Sequence, residues 1–415
     1  MLRHLRLGQL SVECLSGLTP PGMSGYRLCA QPSALPVVSM TQPSASTAQK
    51  PHTPSRRRTT QRAAFILLLI ATTLTLASLP ARHWWFADVL ANLRVQACIA
   101  AATLLTALAL LKLKSASLLA VILLAWHAHF LLPAFVPPLD PAKPASQQLS
   151  RTHTQPPDLA VCLANVRFNN SQHTTIANSL QHSNADVLVI IELSPDLRQS
   201  LTSQLSTDYP HTLWADQPSG AFGIGLLSRL PLRNPQINSF GTPPDRRDLP
   251  RIPAISVDVQ TPAGPVHLIA MHCMPPIGQV NFQLRSRQLA DAATAARKRQ
   301  VDTPLLLVGD LNLTPWAPAF HDLLHHSQLI NPASGCGIEP TWNAGPRYPC
   351  GLLIDHILHS PQLTCLNRRI LPPINSDHRP VLARFRISNP APQHGSAAPS
   401  TSRPYSQDPP TDTIP

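Results

Sequence analysis

The sequence predicts an α/β layered sandwich that is preceded by a short group of membrane helices. Apolar strand-like runs alternate with helix-like segments between residues 159 and 388, and long uncharged apolar runs lie between residues 63 and 136. Hydrophobic residues make up 43% of the 415 residues, whereas charged residues make up only 13%. Few charges at ordinary apolar content indicate that part of the chain lies in lipid. The composition excludes a wholly disordered chain, a collagen-like chain and a small disulfide scaffold.

Three uncharged apolar runs predict transmembrane helices in the first third of the chain. Each is close to the roughly 20 residues that a helix needs to cross about 30 Å of hydrocarbon. A buried helical core is the alternative, but three such runs in so short a stretch disfavour it. The predicted helices span residues 63–79, 95–111 and 115–136.

Basic residues orient these helices. An arginine cluster in 56–62 precedes the first helix, and Lys112 and Lys114 lie in the tight turn between the second and third. Because positive charge near membrane helices marks the cytoplasmic side, three spans place everything after residue 136 on the opposite side. We therefore expect a multi-pass protein of a bacterial inner membrane, with the lipid bilayer as partner and the following domain facing the periplasm or cell exterior.

The remaining segments have the composition of leaders and linkers. Residues 1–62 are predicted to be a disordered basic leader, for which Met23 and Met40 are alternative starts. Residues 137–158 are rich in proline and are predicted to be a semi-rigid linker, and residues 389–415 a disordered tail. Between them, residues 159–388 are long enough for one large core.

The segment 159–388 is predicted to contain strands and two helices, from runs of apolar residues bounded by turn signals. The helices are expected at 172–183 and 281–299. Turn signals at strand intervals with few helices favour a layered α/β sandwich. Strands are expected at 159–166, 186–193, 222–228, 254–259, 266–272, 305–308, 354–359 and 381–387.

Polar residues recur where these predicted strands end or begin. A single Asp or His at such a place is more often a cap or a surface residue, but six sites in order are harder to explain that way. Strand ends and the loops after them are where a sheet usually presents an active site. The residues are Asn165, Glu192, His272, Asp310 with Asn312, Asp355 with His356, and Asp377 with His378.

These residues carry a resemblance to a known family. The chain contains Asn165-Val166, Ile191-Glu192, Met271-His272, Gly309-Asp310-Leu311-Asn312, Ile354-Asp355-His356 and Ser376-Asp377-His378 in that order. In this the chain resembles the endonuclease/exonuclease/phosphatase superfamily, related to deoxyribonuclease I and exonuclease III. Thr314-Pro315-Trp316 and Pro340-Thr341-Trp342 are similar to its membrane-anchored bacterial subgroup. The resemblance implies a four-layered α/β sandwich, two packed sheets flanked by helices, that hydrolyses a phosphate ester with Mg²⁺ or Mn²⁺.

Phosphodiester hydrolysis needs an activated water, stabilised phosphate oxygens and help for the leaving group. Asp310 is the candidate to orient and deprotonate the water. Asn312 can donate to a phosphate oxygen without adding negative charge, and His378 can serve as a donor or acid at the phosphate. Alone, Asp310 and Asn312 would be read as an Asx turn, whereas within the whole set a catalytic role is favoured.

Five further roles follow from the resemblance. It implies a metal at Glu192, supported by Asn165 and Asp377, since carboxylate and amide oxygens suit hard cations. It also implies that Asp355 holds His378 protonated and that His272 lies beside the phosphate. For Glu192, pairing with a surface arginine is the less favoured alternative.

One residue departs from the family pattern. Arg167 stands two positions after Asn165, where nuclease members commonly carry an acidic residue. The departure argues against a second metal subsite and against close kinship with the abasic-site repair branch.

The substrate is predicted only as a phosphoester, with nucleic acid as the first candidate. The formal charge of +12 falls mainly outside 159–388, where 18 basic and 15 acidic residues leave only +3. A phospholipid or sphingomyelin phosphodiesterase is the second candidate, supported by the predicted anchor, and a non-catalytic membrane-tethered binding module is the third. The sequence gives no signal for an oligomeric state.

Further basic residues and the cysteines lie outside this set. The cluster Arg246, Arg247 and Arg251 is equally consistent with phosphate contact and with a solvated loop, and Arg285 is expected to form a structural ion pair. Cys336 and Cys350 are the most plausible disulfide pair in an extracytoplasmic domain.

Overall fold

The computed structural model describes residues 56–136, 157–217, 221–242, 245, 249–343 and 351–388. The predicted tail and nearly all of the predicted leader and linker lie outside these residues. So do Arg246, Arg247 and Cys350, so the arginine cluster and the disulfide stay predictions.

Two sheets form the α/β part of the chain. The six-stranded sheet has the order β10-β11-β1-β2-β4-β3, and the five-stranded sheet has the order β5-β6-β7-β8-β9. The strands are β1 (Leu159–Asn165), β2 (Val187–Ile191), β3 (His211–Ala215), β4 (Ile224–Ser228), β5 (Leu232–Ser239), β6 (Pro253–Thr261), β7 (Gly264–His272), β8 (Leu305–Asp310), β9 (Asp355–His359), β10 (Leu363–Ile370) and β11 (Val381–Ile387).

Among the residues that the structure describes, four helices cover the outer faces of the two sheets. They are α5 (His173–His182) and α6 (Pro195–Leu205) on the six-stranded sheet, and α7 (Gln279–Arg299) and α8 (Pro318–Ser327) on the five-stranded sheet. The sequence specifies the start of α6, where the Ser194 hydroxyl accepts a hydrogen bond from the Leu197 amide at 3.2 Å and Pro195 occupies the first turn. The predicted mixed α/β class is confirmed.

The main core lies between the sheets. Side chains of one face of β1, β2, β4 and β11 pack there against side chains of β6, β7, β8 and β9. The opposite faces bury a second cluster under α5 and α6 and a third under α7 and α8. Because β1, β2 and β8 are buried on both faces, they are continuous apolar runs rather than alternating ones.

Within residues 56–136, four helices precede the sheets: α1 (Arg56–Ala77), α2 (Trp85–Asn92), α3 (Arg94–Leu110) and α4 (Lys114–Phe135). Among the described residues, α1 from Arg57 onward and α4 are long and apolar enough to cross a membrane. The predicted second span coincides with α3, which meets the criterion only together with α2, and these two helices are bent by 66° at Leu93. The described part of the chain thus has two helices of this kind, or three if the bent pair is one span.

The two ends of this helical group differ. Ala64, Leu108 and Ala116 pack together, which places the arginines at the start of α1 near Lys112 and Lys114. The α/β part of the chain is contacted from the other end, where Val95 and Leu131 pack against the loop residues Trp316, Ala333 and Leu353. The basic end and the end that contacts the α/β part are therefore opposite ends of the helical group.

Candidate functional site

The ends of the strands of both sheets meet at one place. In the five-stranded sheet, His272 ends β7 directly beside Asp310 at the end of β8, and Asp355 begins β9 on the other side of Asp310. In the six-stranded sheet, Asn165 ends β1 and Glu192 follows the neighbouring parallel strand β2. Because parallel strands end at the same edge, each sheet delivers a group of polar side chains to the gap between the sheets.

Asn165 links the two groups. Its Nδ2 donates to Glu192 Oε1 at 2.9 Å and to Asp310 Oδ2 at 3.1 Å. Its Oδ1 accepts a hydrogen bond from the Arg167 amide at 3.1 Å, which fixes the orientation of the side chain. One buried amide therefore joins the predicted metal ligand to the predicted base.

Glu192 is held in an unusual backbone conformation. Its φ is +62°, a left-handed value that is uncommon outside glycine and that persists only when the surroundings enforce it. The Phe168 amide donates to its Oε2 at 3.1 Å, while Asn165 binds its other oxygen. These partners aim the carboxylate at the gap beside Asp310. The Glu192 oxygens are the donor type that a hard divalent cation prefers, whereas Asn165 presents Nδ2 to Glu192 and its Oδ1 to the Arg167 amide. The residues present therefore fit Mg²⁺ or Mn²⁺ once the Asn165 amide turns over and offers its oxygen.

A second chain of contacts runs through His378, in the loop before β11. Its Nδ1 is 2.8 Å from Asp355 Oδ2, and its Nε2 is 3.8 Å from Asp310 Oδ2. Burial disfavours its charge, but the neighbouring Asp355 and Asp310 carboxylates outweigh burial and raise the pKa of His378 to about 10. Although Asp355 is buried, the His378 charge and hydrogen bond hold its pKa below the usual value. The pair is therefore an imidazolium carboxylate.

Asp310 is the base candidate of the site. Burial, and then the charge of Asp355, raise the pKa of Asp310. Its Oδ1 accepts the Asn312 amide at 2.9 Å, so the predicted Asx turn does exist alongside the contacts to Asn165 and His378. Asp310, Asp355 and His378 place one ligand atom each within 4.8 Å of one another. The imidazolium already neutralises one of these two carboxylates, which disfavours the trio as a cation site.

His272 and Asn312 form the side of the site next to β7. His272 Nε2 lies 3.7 Å from Asp310 Oδ2 and 3.4 Å from Asn312 Nδ2. Burial, and then the positive His378, lower the pKa of His272 to about 3, which keeps it neutral at pH 7. Asn312 Nδ2 also donates to the Cys273 carbonyl at 2.9 Å. Asn312 is half-buried, so its amide lies nearer the solvent than Asp310.

Asp377 is the exposed member of the predicted set. Its Oδ2 accepts from Trp342 Nε1 at 3.1 Å, and its charge contributes to raising the pKa of His378. Its metal role stays a prediction, as do the individual roles of the other residues. The structure brings the remaining seven into one connected set of contacts: Asn165, Glu192, His272, Asp310, Asn312, Asp355 and His378.

Three residues that sequence reasoning did not assign to the site support it. Thr341 Oγ1 accepts the amides of Ile354 and Asp355 at 3.1 Å each and so fixes the start of β9. Trp342 holds Asp377, and Ser376 Oγ bonds both the Asn165 carbonyl and the His378 amide. The Pro-Thr-Trp at 340–342 was the available signal for two of them.

The sequence model of the Endonuclease/Exonuclease/phosphatase family matches residues 162–378, which is more than half of the chain and includes all the residues above. The chain belongs to this family. It therefore has the fold of a group of enzymes that act on phosphoesters. No curated protein matches the sequence.

Solved structures are similar to about half of the chain at low sequence identity. An endonuclease/exonuclease/phosphatase from Beutenbergia cavernae is 21% identical, over 56% of this chain and 72% of its own, with a TM-score of 0.47. The 3′ phosphatase NExo from Neisseria, bound to a product DNA hairpin, is 21% identical over 55% and 99%, with a TM-score of 0.45. The beta toxin of Staphylococcus aureus is 18% identical over 55% and 99%, with a TM-score of 0.44.

Proposed function

We propose that the protein is a membrane-anchored, metal-dependent phosphodiesterase of the nuclease type, in which water attacks the phosphorus of a phosphodiester. The observation that carries the proposal is the joined set of contacts from Glu192 through Asn165 to Asp310 and on to His378 and Asp355. A base, an acid and a hard-cation ligand lie side by side, which is what this chemistry needs.

Asp310 is placed to orient the attacking water and take its proton. A carboxylate whose pKa is raised by burial and by Asp355 is a stronger base than an exposed one. The Asn165 and Asn312 donors fix both of its oxygens, so its orientation does not depend on the substrate. The water would therefore meet a preorganised acceptor.

His378 is placed to stabilise the charge on the phosphate. Its Nδ1 is engaged by Asp355, so the other nitrogen carries an N–H that points into the gap near Asp310. The Asn312 amide and His272 line the same gap. Donors that are fixed before reaction can stabilise charge that develops during it, and removal of one such donor typically costs about 10²–10³ in kcat.

The metal would be held by Glu192 and Asn165, with Asp377 as a further ligand from the exposed side. When bound, Mg²⁺ or Mn²⁺ would supply positive charge for the non-bridging phosphate oxygens. The Asn165 Nδ2 bonds both Glu192 and Asp310, so Glu192 lies close to Asp310, which supports a metal beside the base rather than within the Asp310–Asp355–His378 group.

The helical group supports anchoring in a bacterial inner membrane with the domain outside the cytoplasm. The α/β part of the chain is contacted from the end of the helices opposite to the arginines before α1 and to Lys112 and Lys114. Because basic residues mark the cytoplasmic end, the domain would lie in the periplasm. A reporter enzyme active only outside the cytoplasm should be active when fused after residue 388 and inactive when fused after Lys114. The reverse pattern would overturn this orientation.

A phospholipid phosphodiester is a second candidate substrate, favoured by one feature. The segment that leaves the site after His272 carries Ile277 and Val280, which are 71% and 61% exposed. Next to them, the Gln279 side chain bonds the His83 carbonyl at 3.1 Å and the Trp85 amide at 3.3 Å. This apolar edge of the site therefore lies beside the aromatic end of the helical group, where a bilayer surface would be.

The proposal is tested by assaying the purified full-length protein with plasmid DNA, short single-stranded DNA and phosphocholine lipid vesicles, in Mg²⁺, Mn²⁺ or EDTA. Metal-dependent DNA cleavage that is lost in Asp310→Ala and His378→Ala supports the nuclease. Lipid turnover with intact DNA moves the activity to the second candidate. Metal binding without turnover of any phosphoester supports a binding module and overturns the enzymatic proposal.

A further inference from the structure

The short helix α2 docks directly on the loop that follows β8. Asn92, the last residue of α2, accepts with its Oδ1 from the Thr314 amide at 2.7 Å and from the Thr314 hydroxyl at 2.8 Å. Its backbone carbonyl accepts from Trp316 Nε1 at 2.7 Å. This catalytic loop, residues 311–317, is therefore held at its far end by α2.

The same helix reaches Asn312 itself through Arg285. Arg285 on α7 and Asp88 on α2 are both fully buried, with Arg285 Nη2 at 2.7 Å from Asp88 Oδ1. Arg285 Nη1 donates to the Asn312 carbonyl at 2.8 Å. The ion pair expected for Arg285 is thus confirmed, and its partner lies in the helical group before the catalytic domain.

Asn312 needs such support because its backbone is strained. Its φ is +48°, in the left-handed region that costs energy for a residue with a side chain. Its amide is fixed by Asp310 and its side chain by the Cys273 carbonyl. The remaining backbone group, the carbonyl, is bound by Arg285, so the orientation of this peptide depends on where Asp88 holds the guanidinium.

We propose that α2 is a positioning element of the active site: Asp88, acting through Arg285, and Asn92, acting through Thr314, hold Asn312 where its amide can reach a phosphate oxygen. This inference rests on the proposed function. The helices before residue 136 then do more than tether the domain, since the geometry of the catalytic loop depends on them. Asp88, Asn92 and Arg285 are positioning residues, because none of them touches the reacting atoms.

The test compares two variants of the full-length protein in lipid nanodiscs with a matched control. Asp88→Asn removes the charge that holds Arg285, and Asn92→Ala removes the acceptor for Thr314. The control is Arg82→Ala, which breaks the Arg82–Asp322 salt bridge. That bridge also joins the segment before α2 to the domain, but it is exposed and contacts α8 rather than the catalytic loop.

We expect kcat to fall by about ten- to hundredfold in Asp88→Asn and Asn92→Ala, because a misplacement of about 1 Å can cost about 10². KM should change by less than about threefold, since ground-state binding does not depend on this donor, and Arg82→Ala should match the wild type. Wild-type kcat in both variants, or an equal loss in Arg82→Ala, would overturn the inference. If one of these variants unfolds, as shown by its Tm, Thr314→Val replaces it. This substitution removes only the hydrogen bond from the Thr314 hydroxyl to Asn92 and should also lower kcat.

Hydrogen exchange separates this inference from the proposed function. In Asp88→Asn and Asn92→Ala, the amides of residues 311–314 and of Trp316 should exchange at least tenfold faster than in the wild type, with strand β8 unchanged. That readout needs no substrate, so it decides the inference even if the wild type hydrolyses nothing, a result that would overturn the proposed function alone. Unchanged exchange in the loop would show that α2 does not hold it.

Discussion

Gly309 sets the spacing between the two strands that carry His272 and Asp310. It lies opposite Met271 in the parallel pairing of β7 and β8, one residue before Asp310. A Cβ added at Gly309 would lie 1.9 Å from the Met271 carbonyl oxygen, whereas contacts under 3.0 Å essentially never occur for real Cβ atoms. The obstacle is backbone in the middle of a sheet, so Gly309→Ala must push β8 and β7 apart.

The required movement can be read from these distances. Raising the contact from 1.9 to at least 3.0 Å displaces one strand by about 1.1 Å. A misplacement of about 1 Å can cost about 10² in rate, so we expect Gly309→Ala to lower kcat by about a hundredfold. Overpacking of a core typically costs about 1–3 kcal/mol, so the protein should still fold with a lower Tm. Mn²⁺ affinity should be retained, because Glu192 and Asn165 lie on the other sheet.

The assay is steady-state hydrolysis by the full-length protein, with a thermal unfolding curve and a Mn²⁺ titration for each variant. Gly264→Ala is the matched control: its φ of +128° makes alanine strained, but nothing lies within 4 Å of the added Cβ in the β6–β7 hairpin. It should lower the Tm and leave kcat unchanged. Wild-type kcat and Tm in Gly309→Ala would refute the reasoning, and so would an equal loss of kcat in Gly264→Ala.

Two further predictions concern the metal and acid stability. Glu192→Gln should weaken Mn²⁺ binding at least tenfold, as measured by electron paramagnetic resonance titration. The control Glu339→Gln loses only the salt bridge to Arg368 and should bind Mn²⁺ like the wild type. Equal Mn²⁺ affinities of the two variants would remove Glu192 from the metal site. Although burial opposes it, hydrogen bonding led by Arg299 lowers the pKa of Asp258 to about 2. Because the pKa of Asp258 is lower in the folded than in the unfolded protein, its ionised carboxylate stabilises the fold at pH values above the unfolded pKa near 3.8. This stabilisation is lost as the pH falls through about 2. Arg299 is 42% exposed, so solvent screening reduces the contribution to about 1–2 kcal/mol. Asp258→Asn should therefore be less stable than the wild type in urea at pH 7 and nearly equal to it near pH 2; a constant difference would contradict this.

The strands that the sequence predicts are more deeply buried than those that it does not predict. The predicted strands include the central β1, β2, β7 and β8, whose runs of apolar residues are buried on both faces. The three that were missed, β3, β5 and β10, are edge strands of their sheets. The sequence of β5, Leu-Arg-Asn-Pro-Gln-Ile-Asn-Ser, is largely exposed and contains a proline, so it carries no apolar signal. The short helices α6 and α8 were also missed.

The residues of the candidate site were easier to predict than the residues that hold them in place. Asn165, Glu192 and Asp310 follow central strands directly, so the end of an apolar run marked each of them. Arg285 and Asp88 are 197 residues apart, and their pairing depends on where α2 docks. Neither residue type nor spacing encodes that docking. The sequence therefore predicted that Arg285 forms an ion pair but did not identify Asp88 as the partner.

The most direct test of the central claim is hydrolysis of a phosphodiester by the full-length protein in Mg²⁺, compared with Asp310→Ala of equal Tm and equal Mn²⁺ affinity. The account predicts turnover that is abolished by EDTA and reduced by about 10²–10⁴ in Asp310→Ala, because a positioned base contributes about that much. Turnover at the wild-type rate in Asp310→Ala would contradict the assignment of Asp310 as the base and, with it, the proposed active site.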